Sequence, residues 1–495
     1  MASLTKGMSF NNPEVIKFLD EAYRLIKEEA LQKGTSRDYP VLEFMHPHEL
    51  ESTLDLEITA EPASHEQILD AMKNIIRYSI KTGHPRFHNQ LFGSLDPYSQ
   101  AGAWLASSLN ANIHTYEVCP VFIIMEKYFF QKILNIVGFE HGDGVFCPGG
   151  SASNFFSIHL ARFKKFPEAK KNGLFGSAPF RCYASEDGHY SMQKAAIFLG
   201  LGMNNLVGVK TDGRGHIIPS ELERCIKADL DKGYTPLMVT ATSGTTVLGS
   251  YDDLPAISKV CKKYDLWLHA DACWGGGALL SKKHRHLLKG SHLCNSMSWN
   301  FHKMTGVPVQ TSVFLINDPS KKLLEEANSA KAEYLFQPDK HYDTSYDVGD
   351  KTVQCGRAVD ITKVWLQWRA LGDEGMEARI DRGFENARYL TQKLRSTEGF
   401  RLVLPEFECT NVSFWYIPHR LRGQVEDNKW WQELHKIAPK LKERMVKAGN
   451  LMIQYQPLST KGFVNFFRII ILNPLCGPRD MDFVIEEFER LGKDL

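Results

Sequence analysis

Apolar positions recur at a helical period near the start of the chain. Val15, Leu19, Ala22 and Ile26 share one face behind Asn12 as cap and Pro13 at the first helical position, and Gly34 ends the run. This predicts a helix over residues 13 to 33, and a similar pattern predicts a second over 64 to 82. Both precede the first clear strand pattern, so residues 1–95 read as an appendage whose apolar stripe must be buried against the body or a second subunit. Over 96–365, helical patterns alternate with short apolar runs, notably Pro236–Ala241 and Leu266–Ala270. That rhythm predicts an α/β domain with a largely parallel sheet. A helix carrying Trp365, Trp368 and Leu371 ends at Gly372–Gly375; a long helical stretch then leads to strand-like Phe400–Leu404 and Val412–Tyr416. Residues 366–495 therefore read as a smaller α+β domain.

Composition narrows the function. At 495 residues the chain has room for about three domain-sized units. Lys+Arg of 59 against Asp+Glu of 58 leaves a formal charge of +1, without the basic surplus of a nucleic-acid binder. No run approaches the roughly 18 consecutive apolar residues of a membrane span. The opening Met1–Gly7 has neither a signal-peptide pattern nor glycine after Met, so a cytoplasmic location is expected. The ten cysteines are scattered without metal-ligand spacing and read as free thiols, and no metal is expected.

Four segments of the middle domain carry chemistry. Phe146–Asn154 sets Gly149, Gly150, Ser151 and Ser153 before a helical run, where backbone N–H groups would face a phosphate; alone, such a turn is equally a helix cap. His269–Gly276 places Asp271 just beyond a short buried strand, where open α/β sheets hold ligands and a carboxylate could pair with a protonated heterocycle. In Ser298–Lys303, Lys303 follows a polar pair and could form a Schiff base with a carbonyl, although a lone lysine is ordinarily solvated surface. Thr240–Gly249 is a hydroxyl-rich turn able to bond a ligand's rim. A phosphate cradle, an aspartate and a lysine are together the parts that hold pyridoxal 5′-phosphate.

With Ser185–Ser191, these segments resemble the group II pyridoxal-phosphate amino-acid decarboxylases. Thr82–Leu91, Thr115–Phe122, Tyr334–Lys340, Gly349–Arg357 and Val464–Arg468 are similar to the glutamate, cysteine-sulfinate and aspartate branch, and the likeness covers nearly the whole chain. The resemblance implies a fold-type-I transferase: a mostly parallel seven-stranded sheet between helices, an N-terminal dimerisation segment and a small C-terminal domain, assembled as a homodimer with active sites at the interface. It implies that Lys303 binds the cofactor covalently, Asp271 pairs with the ring nitrogen and His189 stacks on the ring. Gly150, Ser151, Ser153, Asn300 and His302 are implied around the phosphate, and Thr246 and Gln90 near the ring oxygen. Tyr342 matches the loop tyrosine that returns a proton to Cα, with Tyr346 its competitor. Arg468 matches the carboxylate-binding arginine.

The chain also departs from the family pattern. Phe301 stands where proline is usual and Cys273 where alanine is usual. Around the substrate, Phe92 is like the cysteine-sulfinate and aspartate enzymes and shortens the pocket, Asn112 matches the glutamate pattern, and His114 matches neither. The expected activity is α-decarboxylation of a small acidic amino acid, most of all cysteine sulfinate or aspartate. The alternatives are a glutamate decarboxylase, a catalytically silent cofactor-binding relative, and an enzyme of oxidative deamination, against which Tyr342 argues.

Overall fold

The computed structural model of the chain describes residues 9–176 and 179–495, so the opening Met1–Gly7 read for targeting signals lies outside the described residues. The first helix starts as predicted, with the Asn12 side chain accepting from the Glu14 N–H, but its regular part is Pro13–Leu25. Ile26–Gln32 then widens into a π-helix and Lys33–Thr35 tightens into a 3₁₀ turn. The second expected helix spans His65–Tyr78, capped at Ser79 rather than running to 82, and opens on a reciprocal cap between Ser64 and Gln67; a short helix, Pro47–Thr53, precedes it. The two helices meet at Phe18 and His65, whose rings lie 4.7 Å apart. Only Ala22 of the first helix is buried, while Ile16, Leu19 and Tyr23 stay exposed.

The strands are β1 (Phe87–His88), β2 (Asp143–Cys147), β3 (Phe180–Ser185), β4 (Leu206–Val209), β5 (Thr235–Thr242) and β6 (Trp267–Asp271). They continue as β7 (Ser296–Asn300), β8 (Ser312–Ile316), β9 (Phe400–Leu402), β10 (Asn411–Tyr416), β11 (Met452–Leu458) and β12 (Phe463–Ile470). A seven-stranded sheet runs in the order β2-β8-β7-β6-β5-β3-β4. Its pairs are parallel except where β8 lies antiparallel between β2 and β7. β7 and β8 are buried throughout, and β5 and β6 at every position but the first, as the apolar run of β5 requires.

The second sheet has the order β1-β11-β12-β10-β9. Its edge strand β1 comes from the N-terminal segment, with Phe87 opposite Met452 and His88 opposite Ile453. The break expected near Gly372 is present: that residue adopts φ 65° and ψ −178°, and a helical path resumes at once, running on to Ser396. Val364 and Trp368 before the break, and Met376, Ile380 and Phe384 after it, are all buried, so packing restarts the helix across the kink. No helix among the described residues is long and apolar enough to cross a membrane.

Charged contacts hold the two sheets' surroundings together. His216 lies between Asp212 (Nδ1 to Oδ2, 3.0 Å) and Glu408 (Nε2 to Oε2, 2.8 Å), the latter from the loop between β9 and β10. The hydrogen bond to Glu408 overcomes partial burial and, with Asp212, pushes His216 up from 6.5 to about 9. A group raised on folding adds stability that is complete below its unfolded value and is lost as pH rises through its folded one. We therefore expect His216→Gln to lower the thermal midpoint most at about pH 6, with the difference from the unmodified protein vanishing above about pH 9. A difference independent of pH would show that the imidazolium contributes nothing.

Candidate active site

The parallel strands bring the candidate residues to one edge of the sheet. β2 ends at Cys147, and Gly149, at φ 89°, turns the chain so that the helix Gly150–Lys165 begins there. β3 ends ahead of His189, β5 ahead of Gly244 and Thr246, β6 at Asp271, and β7 at Asn300 just before Lys303. Gly150, Ser151, His189, Thr246, Asp271, Asn300 and Lys303 together line a cavity of about 200 Å³.

Asp271 is 5% exposed, and its bonded partners are neutral. Oδ2 accepts from Asn154 Nδ2 at 2.9 Å and Oδ1 from the Cys273 N–H at 3.1 Å. Burial works to raise this carboxyl, but His189, the Asn154 hydrogen bond, His269 and Lys303 outweigh it and hold it below the ordinary range. Burial also lowers His189, despite Asp271. Its Nδ1 lies 2.8 Å from Ser191 Oγ, which accepts from Asn154 Nδ2 at 2.8 Å. Asn154 Oδ1 faces His269 Nε2 at 3.1 Å and accepts from Ser298 Oγ at 3.0 Å.

The cavity fits pyridoxal 5′-phosphate on its own chemistry. The first turn of a 16-residue helix opens on it with unspent N–H groups. Ser153 Oγ is buried without a hydrogen-bond partner, and its O–H can donate to a phosphate. A Cβ at position 150 would lie 2.6 Å from Cys273 Sγ and 2.7 Å from Asn300 Nδ2, so only glycine leaves that wall open. The ionised, buried Asp271 calls for a cation, which a protonated ring nitrogen supplies. Cys273 lines the cavity as a thiol pushed well above its ordinary range by burial, which removes it as a nucleophile.

Other predicted residues lie elsewhere in the chain. His302 is buried behind Lys303 with Nδ1 3.0 Å from the Thr311 carbonyl. Arg468 on β12 is 4% exposed and donates to the carbonyls of Thr246 (2.8 Å) and Asn89 (3.2 Å), which sets it against the cavity wall. Gln90 and Phe92 follow Asn89 and are exposed, with the buried Leu91 between them. Tyr342 is outside the cavity: its hydroxyl donates to Asp347 (3.0 Å) and its ring lies 5.2 Å from Tyr116. His114 and Asn112 are near the same loop, His114 O accepting from the Gly349 N–H and Asn112 Oδ1 from the Arg357 N–H. Phe301 turns into the core, stacked on Trp299 at 4.5 Å, and its N–H donates to Thr311 O at 2.9 Å, a bond proline cannot make. The flanking Asn300 and Lys303 still reach the cavity.

Asn154, Ser191 and Trp274 also line the cavity and were not singled out from the sequence. For Asn154 the signal was available: four residues after Gly150, it lies on the same helix face. Ser191 had none beyond its place two residues after His189.

The conserved domain of pyridoxal-dependent decarboxylases matches residues 47–417. The chain is 49% identical over 478 residues to human cysteine sulfinic acid decarboxylase, covering 96% of each protein. It is 45% identical over 499 residues to the human acidic amino acid decarboxylase GADL1, covering 100% of this chain and 95% of that one. The crystal structure of mouse CSAD superposes with a TM-score of 0.94 at 47% identity, over 97% of this chain and 99% of that one. With a cavity built for the cofactor and full-length likeness to its users, the chain belongs to the pyridoxal-dependent decarboxylases, as an amino-acid decarboxylase of the fold-type-I class.

Proposed function

We propose that the substrate is a small acidic amino acid, with cysteine sulfinate and aspartate preferred to glutamate, and that the enzyme is a cytoplasmic homodimer. The observation that carries this reading is Arg468: a buried guanidinium beside the cavity, bonded to two backbone carbonyls, with Nε left without a partner. Burial lowers it to about 10, so it stays charged at neutral pH and offers a fork to a carboxylate. The relatives named above, a cysteine sulfinic acid decarboxylase and an acidic amino acid decarboxylase, support the same class.

Pyridoxal phosphate, when bound, provides the sink for the electron pair left on Cα as CO₂ departs. In this reading Asp271 keeps a proton on the ring nitrogen and His189 covers one ring face. Lys303 Nζ anchors the cofactor; Gly150, Ser151, Ser153, Asn300 and His302 surround its phosphate, and Thr246 and Gln90 its ring oxygen. Tyr342 returns the proton to Cα. Because that tyrosine sits apart from the cavity of its own chain, the loop of one protomer must serve the cavity of its partner, along with Phe92, Asn112 and His114. The exposed Ile16, Leu19 and Tyr23, and the exposed Leu105, Leu109, Val121 and Trp365 around an apolar cavity, supply surface for such a dimer. Ten free cysteines suit the reducing cytoplasm. The His114 imidazole could donate to an acidic side group.

Three outcomes follow from these roles. Borohydride reduction of the purified enzyme should fix the cofactor on Lys303, as read by peptide mapping; an adduct on another lysine overturns the assignment. Tyr342→Phe should retain the cofactor yet slow amine formation by about 10²–10⁴-fold, and an unchanged rate would exclude this tyrosine as the acid. Catalytic efficiencies should place cysteine sulfinate and aspartate first, then cysteate, with glutamate about 10–200-fold lower, the range a methylene commands; His114→Phe should alter the ranking. A preference for glutamate would reverse this order, an aromatic preference would reject the acidic branch, and no turnover of any acid would favour the silent relative.

A further inference from the structure

The support behind Arg468 includes a second, half-buried cation. Lys442, on the helix Asn428–Ala448, donates from Nζ to Asn89 Oδ1 at 2.6 Å and to the Ile453 carbonyl at 2.7 Å. Both acceptors are neutral, and no carboxylate forms an ion pair with Lys442 among the described residues. Burial alone pushes the ammonium down to about 8. A half-buried ammonium held by two uncharged partners loses part of its hydration without gaining an ion pair. Stability alone gives no reason for a lysine here.

Its two partners supply one. Asn89 uses its side chain for Lys442 and its backbone carbonyl for Arg468 Nη2. Ile453 pairs with His88, the residue before Asn89, and the next residue of β11, Gln454, lies opposite Arg468 in the β11–β12 register. Lys442 thus staples together the two strands that meet behind the guanidinium. One neutral asparagine is left holding two cations, and an anion arriving at Arg468 relieves that excess charge.

We infer that Lys442 is a positioning residue for substrate recognition, holding Asn89 so that its carbonyl orients Arg468 and adding positive charge behind it. The inference rests on the reading of Arg468 as the receptor of a substrate carboxylate. It predicts a defect in binding acidic substrates without a defect in the chemical step, because Lys442 touches neither the cavity nor the reacting atoms.

The test uses holoenzymes carrying Lys442→Met, Lys442→Arg, Asn89→Ala, the Lys442→Met/Asn89→Ala pair, and Arg468→Met, assayed with cysteine sulfinate and aspartate. Lys442→Met and Asn89→Ala should each raise KM about tenfold with kcat within about twofold. The pair should be no worse than either single change, because both break one linkage. Lys442→Arg should recover most of the loss, and the cofactor absorption spectrum should be unchanged throughout. Asn89→Ala leaves the backbone carbonyl in place, so it reads the linkage even where Lys442→Met fails to fold. An unchanged KM in Asn89→Ala, or a fall in kcat and thermal midpoint with KM unmoved, overturns the inference. Normal KM in Arg468→Met would instead overturn the reading of Arg468 itself; a raised KM there with normal KM in the Lys442 and Asn89 variants overturns only the role of Lys442.

Discussion

The hydrogen bond from Asn154 to the buried carboxylate of Asp271 is the contact on which the cofactor site depends. A carboxylate at the end of a fully buried strand is costly unless its charge is stabilised locally. Asn154 does this with one amide hydrogen while the other reaches Ser191, and its carbonyl engages Ser298 and His269. One residue therefore ties the helix after β2, the turn carrying His189 and the ends of β6 and β7 into a single arrangement. The same helix opens at Gly150 on the cavity, so fixing the aspartate also fixes the glycine–serine turn there. Partly satisfied polar networks are expensive, and that cost makes the arrangement specific.

The surroundings of Arg468 are built differently. Arg468 belongs to the smaller sheet, yet its two bonds run to Thr246, in the loop after β5 of the larger sheet, and to Asn89, just after β1. Three stretches remote in sequence thus converge on one guanidinium. The surroundings of the two sheets are joined nearby by His216 between Asp212 and Glu408, and by Thr460 and Lys461 against the Asp187 turn that leads to His189.

The departures from the family pattern are absorbed by this design. Phe301 buries its ring among Phe129, Trp299 and Trp368 and leaves its neighbours facing the cavity. Cys273 occupies a wall that tolerates a small thiol, and burial keeps that thiol protonated. Neither change disturbs the contacts of Asp271 or the access of Lys303.

Local signals in the chain determined much of this protein. Caps at Asn12 and Ser64, the break at Gly372, the buried apolar runs of β5 and β6, and the glycine–serine turn at 149–153 are short-range patterns, and each appears where its chemistry demands. The order of phosphate cradle, aspartate and lysine was equally legible, because parallel strands deliver their following loops to one edge. Long-range pairing was not. That Phe87–His88 would join a sheet made from residues beyond 400, that Asn154 would hold Asp271, and that Lys442 would reach Asn89 are matters of register and packing between distant segments. The same holds for Tyr342, which one chain leaves beside Tyr116: composition and periodicity describe a segment's own face, but only tertiary structure decides which other face it meets.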